Sequence, residues 1–171
     1  HYGIKSPQID VVDNLWVALW FAANNFHSKI IGSHEHLVAT DSKEDYGYIF
    51  LLASDAIAEG KERGTFEGKR TDTIDLRRAL PSYYLRPHAQ HAFMLRKKTE
   101  GFSDYSDLIV GIAKIPTKLI SEWIGNTELL SVSGLFPSAY YDSGYEILLK
   151  YFPAWSSSVV KNRGSIQIIS G

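Results

Sequence analysis

The fold of this chain is decided by residues 1–26, HYGIKSPQIDVVDNLWVALWFAANNF. Every residue from Leu15 to Ala23 is apolar, so no face of a helix over this segment can meet water without a penalty. A short polar side chain at Asp13 or Asn14 can accept hydrogen bonds from the first free amides of that helix. The sequence therefore predicts a buried helix at the centre of the core. The residues expected to be nearly fully buried are Leu15, Ala18, Leu19 and Ala22.

Polar and conformationally permissive residues precede this helix. They are His1, Tyr2, Gly3 and Asp10. Binding sites are commonly built where such groups lie against a rigid apolar scaffold. We therefore expect a ligand site at this end of the helix.

The same stretch resembles the central motif of the FRG domain family. The matching features are H-Y-G at residues 1–3, Asp10, Asn14 and A-x-x-F-A from Ala18 to Ala22. Two later segments also resemble family elements. They are Arg86, Gln90 and Phe93, which match R-x-x-x-Q-x-G-x-F in part, and Leu135-Phe136-Pro137, which matches L-F-P. The resemblance covers roughly residues 1–150.

The chain also departs from the family pattern. Pro7 replaces the usual Arg, Val11-Val12 replaces Trp-Thr, and Ala92 stands where Gly is usual. The F-R-G element that names the family precedes the central motif and is not among these residues. We therefore expect an FRG-like domain over residues 1–152, N-terminally incomplete, followed by a C-terminal extension or tail over residues 153–171.

Composition limits the classes of protein that fit. With 171 residues, 44% of them hydrophobic, the chain can bury one sizeable core and is expected to form one domain. A net charge of -1 gives no general attraction to nucleic acids or anionic membranes. The absence of Cys excludes disulfides and thiolate metal sites, and it favours a cytoplasmic protein. No run of apolar residues is long enough to span a bilayer.

The remaining pattern predicts an α+β fold, a mixed or antiparallel sheet of four to six strands packed on the first helix. The predicted strands are Gly47–Ala53, Thr71–Arg77, Ser82–Leu85 and Leu108–Ile115, with the first and last of them central in the sheet. The predicted helices are a short one capped by Ser54-Asp55, one over Thr117–Ile124 closed by Gly125, and an amphipathic one over Gly144–Phe152. Residues 27–45 and 60–70 are expected to be polar excursions, and Ile166–Ile169 an edge strand or a tail. Trp16 and Trp20 are expected in the core.

The second polar constellation is Arg86-Pro87-His88-Ala89-Gln90-His91. A Gln amide donates and accepts while Arg offers a fixed fork, so the pair suits a polar ligand with a phosphate or carboxylate. The same two side chains can instead satisfy backbone groups at the end of a strand, and the sequence leaves both readings open. His34 and His36 can lie on one strand face as metal ligands, but solvated loop histidines explain them better, so no metal is expected.

Two classes of function follow. The resemblance implies an ADP-ribosyltransferase-like enzyme or an NAD- or nucleotide-binding domain, with a small-molecule nucleotide as ligand and NAD as cofactor. It implies Gln90 and Asp10 as catalytic residues. It implies His1, Tyr2, Gly3, Asn14 and Arg86 as ligand-binding residues. The alternative is a non-catalytic ligand-binding or protein-interaction module that uses the same pocket, and fold analogy alone cannot decide between the two.

Overall fold

The computed structural model describes residues 8–31, 34–98, 104–151 and 169–170. Its strands are β1 (Ile9–Val12), β2 (Asn24–Ile31), β3 (His34–Asp41), β4 (Tyr46–Leu52), β5 (Ala58–Glu59), β6 (Thr65–Glu67), β7 (Thr71–Asp75), β8 (Ala92–Lys97), β9 (Ile109–Pro116) and β10 (Ile169–Ser170). Its α-helices are α1 (Leu15–Ala22), α2 (Leu76–Ala79), α3 (Leu85–Ala89), α4 (Thr117–Ile124), α5 (Val132–Leu135) and α6 (Ser143–Tyr151), and Ser106–Leu108 forms a 3₁₀ turn.

The first helix begins where the sequence predicts. Asn14 has extended backbone angles, and its Oδ1 accepts from the amides of Trp16 at 2.9 Å and Val17 at 3.2 Å. These two bonds satisfy two of the orphan amides of the first turn. Asn14 is therefore the N-cap of α1.

The burial of α1 is complete only beyond its first turn. Val17–Phe21 are all buried. Of the four residues expected to be buried, Ala18 and Leu19 are, whereas Leu15 is 57% exposed and Ala22 is half-buried. The main core cluster takes its first helical residue at Val17, so within the described part of the chain the first turn of the helix lies outside that cluster. The prediction of a helix buried on every face is wrong for that turn.

A set of aromatic rings packs around the second half of α1. Trp20, Phe21, Phe26 and Phe136 lie with their ring centroids 5.2 to 6.1 Å apart. Such tilted and edge-on contacts add to the free energy gained by burying the rings. The predicted core position of Trp20 is confirmed, but Trp16, in the first turn, is 50% exposed.

The fold is α+β, as predicted. The main sheet has eight strands in the order β5-β6-β7-β8-β1-β10-β4-β9, and β2 and β3 form a separate antiparallel pair. Neighbours in the main sheet are antiparallel except β10, which is parallel to β1 and to β4. The sheet is larger than expected because two short strands, β5 and β6, form within or beside a segment predicted to be a loop.

The main sheet carries apolar clusters on both faces. Val12 packs with α1, whereas its neighbour Val11 packs on the cluster of Leu52, Leu95 and Leu108. Successive strand residues face opposite sides of a sheet, so the two clusters lie on opposite faces. The polar residues at the ends of β1 and β8 therefore lie beside a core that is fixed on both sides.

Gly47 in β4 allows the helices to approach this sheet closely. A Cβ at this position would lie 2.8 Å from Ile120 of α4 and 2.9 Å from the carbonyl oxygen of Ala22. Only a residue without a side chain fits such a contact.

Several predicted elements are confirmed within one or two residues. They are the strands β4, β7 and β9, the helix α4 closed by Gly125 at φ 60°, and the amphipathic helix α6. The strand β9, however, lies at the edge of the sheet, and its residues alternate between partly buried and exposed. The expectation that it is central is wrong.

Two other predictions are wrong. The segment Ser82–Leu85 is a turn that leads into α3 rather than a strand, and its backbone bonds to distant residues through the Tyr83 carbonyl oxygen and the Leu85 amide. Ser54 and Asp55 start no helix, because the Asp55 carboxylate accepts from the amide and hydroxyl of Thr71. Tertiary hydrogen bonds outweigh local propensity at both places.

The C-terminal residues Ile169 and Ser170 form β10, between β1 and β4 rather than at an edge. Ile166 and Ile168 lie outside the described residues. Among the helices that the structure describes, none is long and apolar enough to cross a membrane.

Candidate functional site

A polar cluster lies at the N-terminal end of α1. We call it the α1 cluster, and its members are Asp13, Asn14, Asp75, Arg77 and His91. Three separate turns supply these residues, since β1 leads into α1, β7 into α2 and α3 into β8. The pairing of β1, β7 and β8 as neighbouring strands brings the three turns together.

Arg77 connects the two carboxylates of the cluster. Its guanidinium donates to Asp13 through Nη1 at 3.2 Å and Nη2 at 2.8 Å. It also donates to Asp75 through Nε at 2.9 Å and Nη2 at 3.1 Å. The bonds to Asp75, and then those to Asp13, raise the pKa of Arg77 against the opposing effect of partial burial. The guanidinium also lies 4.8 Å from the centre of the Phe93 ring, which fixes its plane.

His91 completes the cluster. Its Nδ1 lies 3.2 Å from Asp13 Oδ1 and 3.2 Å from Arg77 Nη1, and its Nε2 lies 3.5 Å from Asn14 Nδ2. Asn14 Oδ1 is occupied by two helix amides, so the group that faces the imidazole is the amide nitrogen, which can only donate. Nδ1 faces the acceptor Asp13 Oδ1 and the donor Arg77 Nη1, whereas Nε2 faces the donor Asn14 Nδ2. A proton on Nδ1 satisfies two of these three contacts and a proton on Nε2 satisfies one, so we assign the neutral ring as carrying its proton on Nδ1, donated to Asp13.

The backbone of His91 is also unusual. It has φ 50°, the only positive φ at a residue other than Gly among the described residues. His91 directly follows the C-cap of α3, a position where helices commonly end with a positive φ, and its amide donates to the His88 carbonyl oxygen at 3.3 Å. Here the Asp13 amide also points at the His91 carbonyl oxygen, at 3.4 Å.

The predicted site residues lie in three places. Asp10 is exposed on β1, opposite Met94 of β8 and three residues before Asp13. Asn14 belongs to the α1 cluster. His1, Tyr2 and Gly3 lie outside the described residues.

Gln90 and Arg86 lie in the interior. Gln90 is 1% exposed, and its Nε2 donates to the carbonyl oxygen of Leu135 at 2.7 Å. Arg86 is buried, donates through Nε to the carbonyl oxygen of Pro137 at 3.2 Å, and stacks 3.8 Å from the centre of the Tyr145 ring. Both side chains thus hold backbone carbonyls of one segment, the reading that the sequence left open beside ligand binding.

Asp142 holds the same region from the other side. It is fully buried, and its Oδ2 accepts from the amides of Leu85 and Arg86 while its Oδ1 accepts from the amide of Tyr145. One carboxylate therefore caps the N-terminal ends of both α3 and α6. Since Gln90 is held inside this assembly, Gln90 and Asp10 share no open cleft in the described part of the chain.

A shallow groove of about 320 Å³ lies over β6, β7 and β8. Its lining includes Gln8, Lys61, Glu67, Asp72, Met94 and Arg96. Asp72 forms ion pairs with Arg96 and Lys98. Burial opposes ionisation of Asp72, but the hydrogen bonds from these two cations outweigh it and lower its pKa. Arg96 is therefore neutralised, and the three carboxylates of the lining outnumber its two cations, Lys61 and Arg96, which makes the groove a poor phosphate site.

The sequence pattern alone did not show Asp13, Arg77 and His91 as one group. Asp13 was visible as a potential cap and His91 as part of a polar run, but Arg77 closes a predicted strand with no distinguishing signal. Only the pairing of β7 with β8 and of β8 with β1 places them within hydrogen-bonding distance. No group of three or more potential metal ligands occurs within the described ranges.

Comparison with known protein families, with curated proteins and with solved structures finds no match to this chain.

Proposed function

We propose that this chain is an FRG-like nucleotide-binding domain of the ADP-ribosyltransferase-like kind, which takes NAD at the α1 cluster. The observation that carries the proposal is the contact of Asp13 with His91, 78 positions apart in sequence, just after the strand on which Asp10 is exposed. A partly exposed group of ionisable side chains held on a rigid scaffold is the usual form of a ligand site.

The charge of the cluster indicates which end of NAD it suits. Asp13 and Asp75 outnumber the single cation Arg77, which both carboxylates already engage. A phosphate would be repelled there, whereas ribose hydroxyls are donors that carboxylate and imidazole acceptors can bind. The positively charged nicotinamide ring is likewise favoured beside Asp10 and Asp13. We therefore place the nicotinamide ribose at the cluster.

The role proposed for the predicted catalytic residues changes accordingly. We keep Asp10 as a residue beside the nicotinamide end, because it is exposed on β1 three residues before Asp13. Gln90 serves the scaffold, because its amide holds the Leu135 carbonyl. In this proposal Asp13 and His91, rather than Gln90, contact the ribose.

A second candidate is a non-catalytic ligand-binding or interaction module. The observation that favours it is the engagement of both Arg86 and Gln90 with backbone carbonyls. The two residues expected to bind or turn over the ligand then have structural partners instead.

Calorimetric titration with NAD, together with a release assay for nicotinamide, tests the two candidates. We expect measurable binding by the protein and at least a tenfold loss in the Asp10→Ala variant, whose wild-type side chain is exposed. Glu128→Ala, in an exposed loop outside the cluster, is the matched control and should bind as the parent does. Binding without nicotinamide release would favour the non-catalytic module, and no binding at all would refute the proposal.

A further inference from the structure

The α1 cluster contains a carboxylate–imidazole pair, formed by Asp13 and His91. Asp13 Oδ1 and His91 Nδ1 lie 3.2 Å apart, and both side chains are more than a third exposed. An ion pair or hydrogen bond at such a position contributes little to stability. The positive φ of His91 follows from its place directly after the C-cap of α3, and it sets the direction in which the imidazole leaves the helix.

The neighbours of the imidazole fix its orientation and its tautomer. Asp13 is itself held by two guanidinium bonds from Arg77, and Asn14 is held by the two amides that it caps. Asp13 and Asn14 are thus both held in place. Within the described ranges, the Nε2 lone pair has one weak donor, Asn14 Nδ2 at 3.5 Å, which a better donor would replace.

We propose that Asp13 and His91 form a dyad that accepts a proton from a ligand hydroxyl. Asp13 holds the Nδ1 proton, and Nε2 receives the hydrogen bond of the hydroxyl. When the proton moves, the ligand O–H bond breaks and an Nε2–H bond forms, and the Asp13 carboxylate balances the charge of the imidazolium. The dyad rests on the ligand placement proposed above, and it adds His91 as the residue that contacts the ribose hydroxyl.

Other ionisable groups face the same imidazole. Arg77 approaches from α2 at 3.2 Å, and Asp75 lies behind it at the end of β7. Arg77 Nη1 lies as close to Nδ1 as Asp13 Oδ1 does, so its charge opposes that of Asp13 at the ring. Asp75 pairs with Arg77 from the far side of the guanidinium.

Ring nitrogen NMR of the ¹⁵N-labelled full chain tests the tautomer directly. Comparison with the spectrum of His91→Phe identifies the signals of His91 among the six histidines. We expect the neutral ring with its proton on Nδ1 and an unprotonated Nε2. A ring with its proton on Nε2 would overturn the dyad, whether or not the protein binds NAD.

Titrations with NAD and with ADP, which lacks the nicotinamide ribose, test the contact. We expect His91→Phe and Asp13→Asn to weaken NAD binding about tenfold and to leave ADP binding unchanged. The control is His88→Phe, because His88 is exposed on α3 and lies outside the cluster. Its affinity for both nucleotides should lie within twofold of that of the parent. Circular dichroism melts confirm that each variant is folded.

The outcomes separate this inference from the proposed function. NAD binding that His91→Phe does not change, or an equal loss for NAD and ADP, would refute the dyad while leaving nucleotide binding intact. Failure of the parent protein to bind NAD would refute the proposed ligand. In that case the Nδ1 tautomer would still support a proton acceptor for another hydroxyl ligand, and the Nε2 tautomer would refute it.

Discussion

Gln90→Met tests whether the buried amide of Gln90 stabilises the fold. Met keeps the length of the side chain but removes the amide that donates to the Leu135 carbonyl at 2.7 Å. Because position 90 is only 1% exposed, no water can replace the lost donor. An unpaired buried carbonyl costs about 1 to 3 kcal/mol of unfolding free energy. For a chain of this size that is a fall of roughly 2 to 12 °C in melting temperature.

Urea unfolding followed by circular dichroism measures this change. The control is His88→Gln, because His88 is exposed on α3. Its unfolding free energy should match that of the parent within about 0.5 kcal/mol. If Gln90→Met is as stable as the parent, the amide has no structural role. If the variant loses NAD binding while its stability is unchanged, Gln90 acts in the ligand site, as the resemblance implies.

The remaining predictions concern the core and the acid limit of stability. Leu19→Ala should lower the unfolding free energy by about 2 to 5 kcal/mol, since it leaves a cavity at a position 2% exposed, whereas Leu15→Ala should cost under about 1 kcal/mol. Equal losses in urea titrations would contradict the burial pattern of α1. Asp55 has its pKa lowered from 3.8 to about 2, chiefly by the Thr71 hydroxyl and then by the Arg70 amide. The stabilising effect of the ionised Asp55 is therefore complete above about pH 4 and lost as the pH falls towards 2. In the Asp55→Asn variant, the urea concentration at the unfolding midpoint should depend less on pH over that range than it does in the parent.

The sequence predicted those elements whose cause is local. The cap at Asn14 and the apolar run after it determine α1, and Gly125 ends α4 because its φ of 60° suits a residue without a side chain. The apolar run of β9 marks it as a strand, but its place at the edge depends on its having only β4 as a neighbour in the described sheet. Position in a sheet is a property of the whole chain, and no local pattern carries it.

The candidate site was predictable only in part. Asp10 and Asn14 precede an obvious helix, so their exposure near its start followed from the sequence. The roles of Arg86 and Gln90 did not, because their partners are backbone carbonyls about 50 and 45 residues away. A polar residue beside an apolar run is equally suited to a ligand and to a distant carbonyl, and only the tertiary fold selects between them.

The shared cap at Asp142 has a consequence for how the protein opens. Its carboxylate is the common acceptor for amides at the start of α3 and at the start of α6. Neither helix can fray from that end without exposing a donor in the other, so the two segments should form one cooperative unit. In native-state hydrogen exchange, the amides of Leu85 and Tyr145 would then share a single opening free energy despite their separation in sequence.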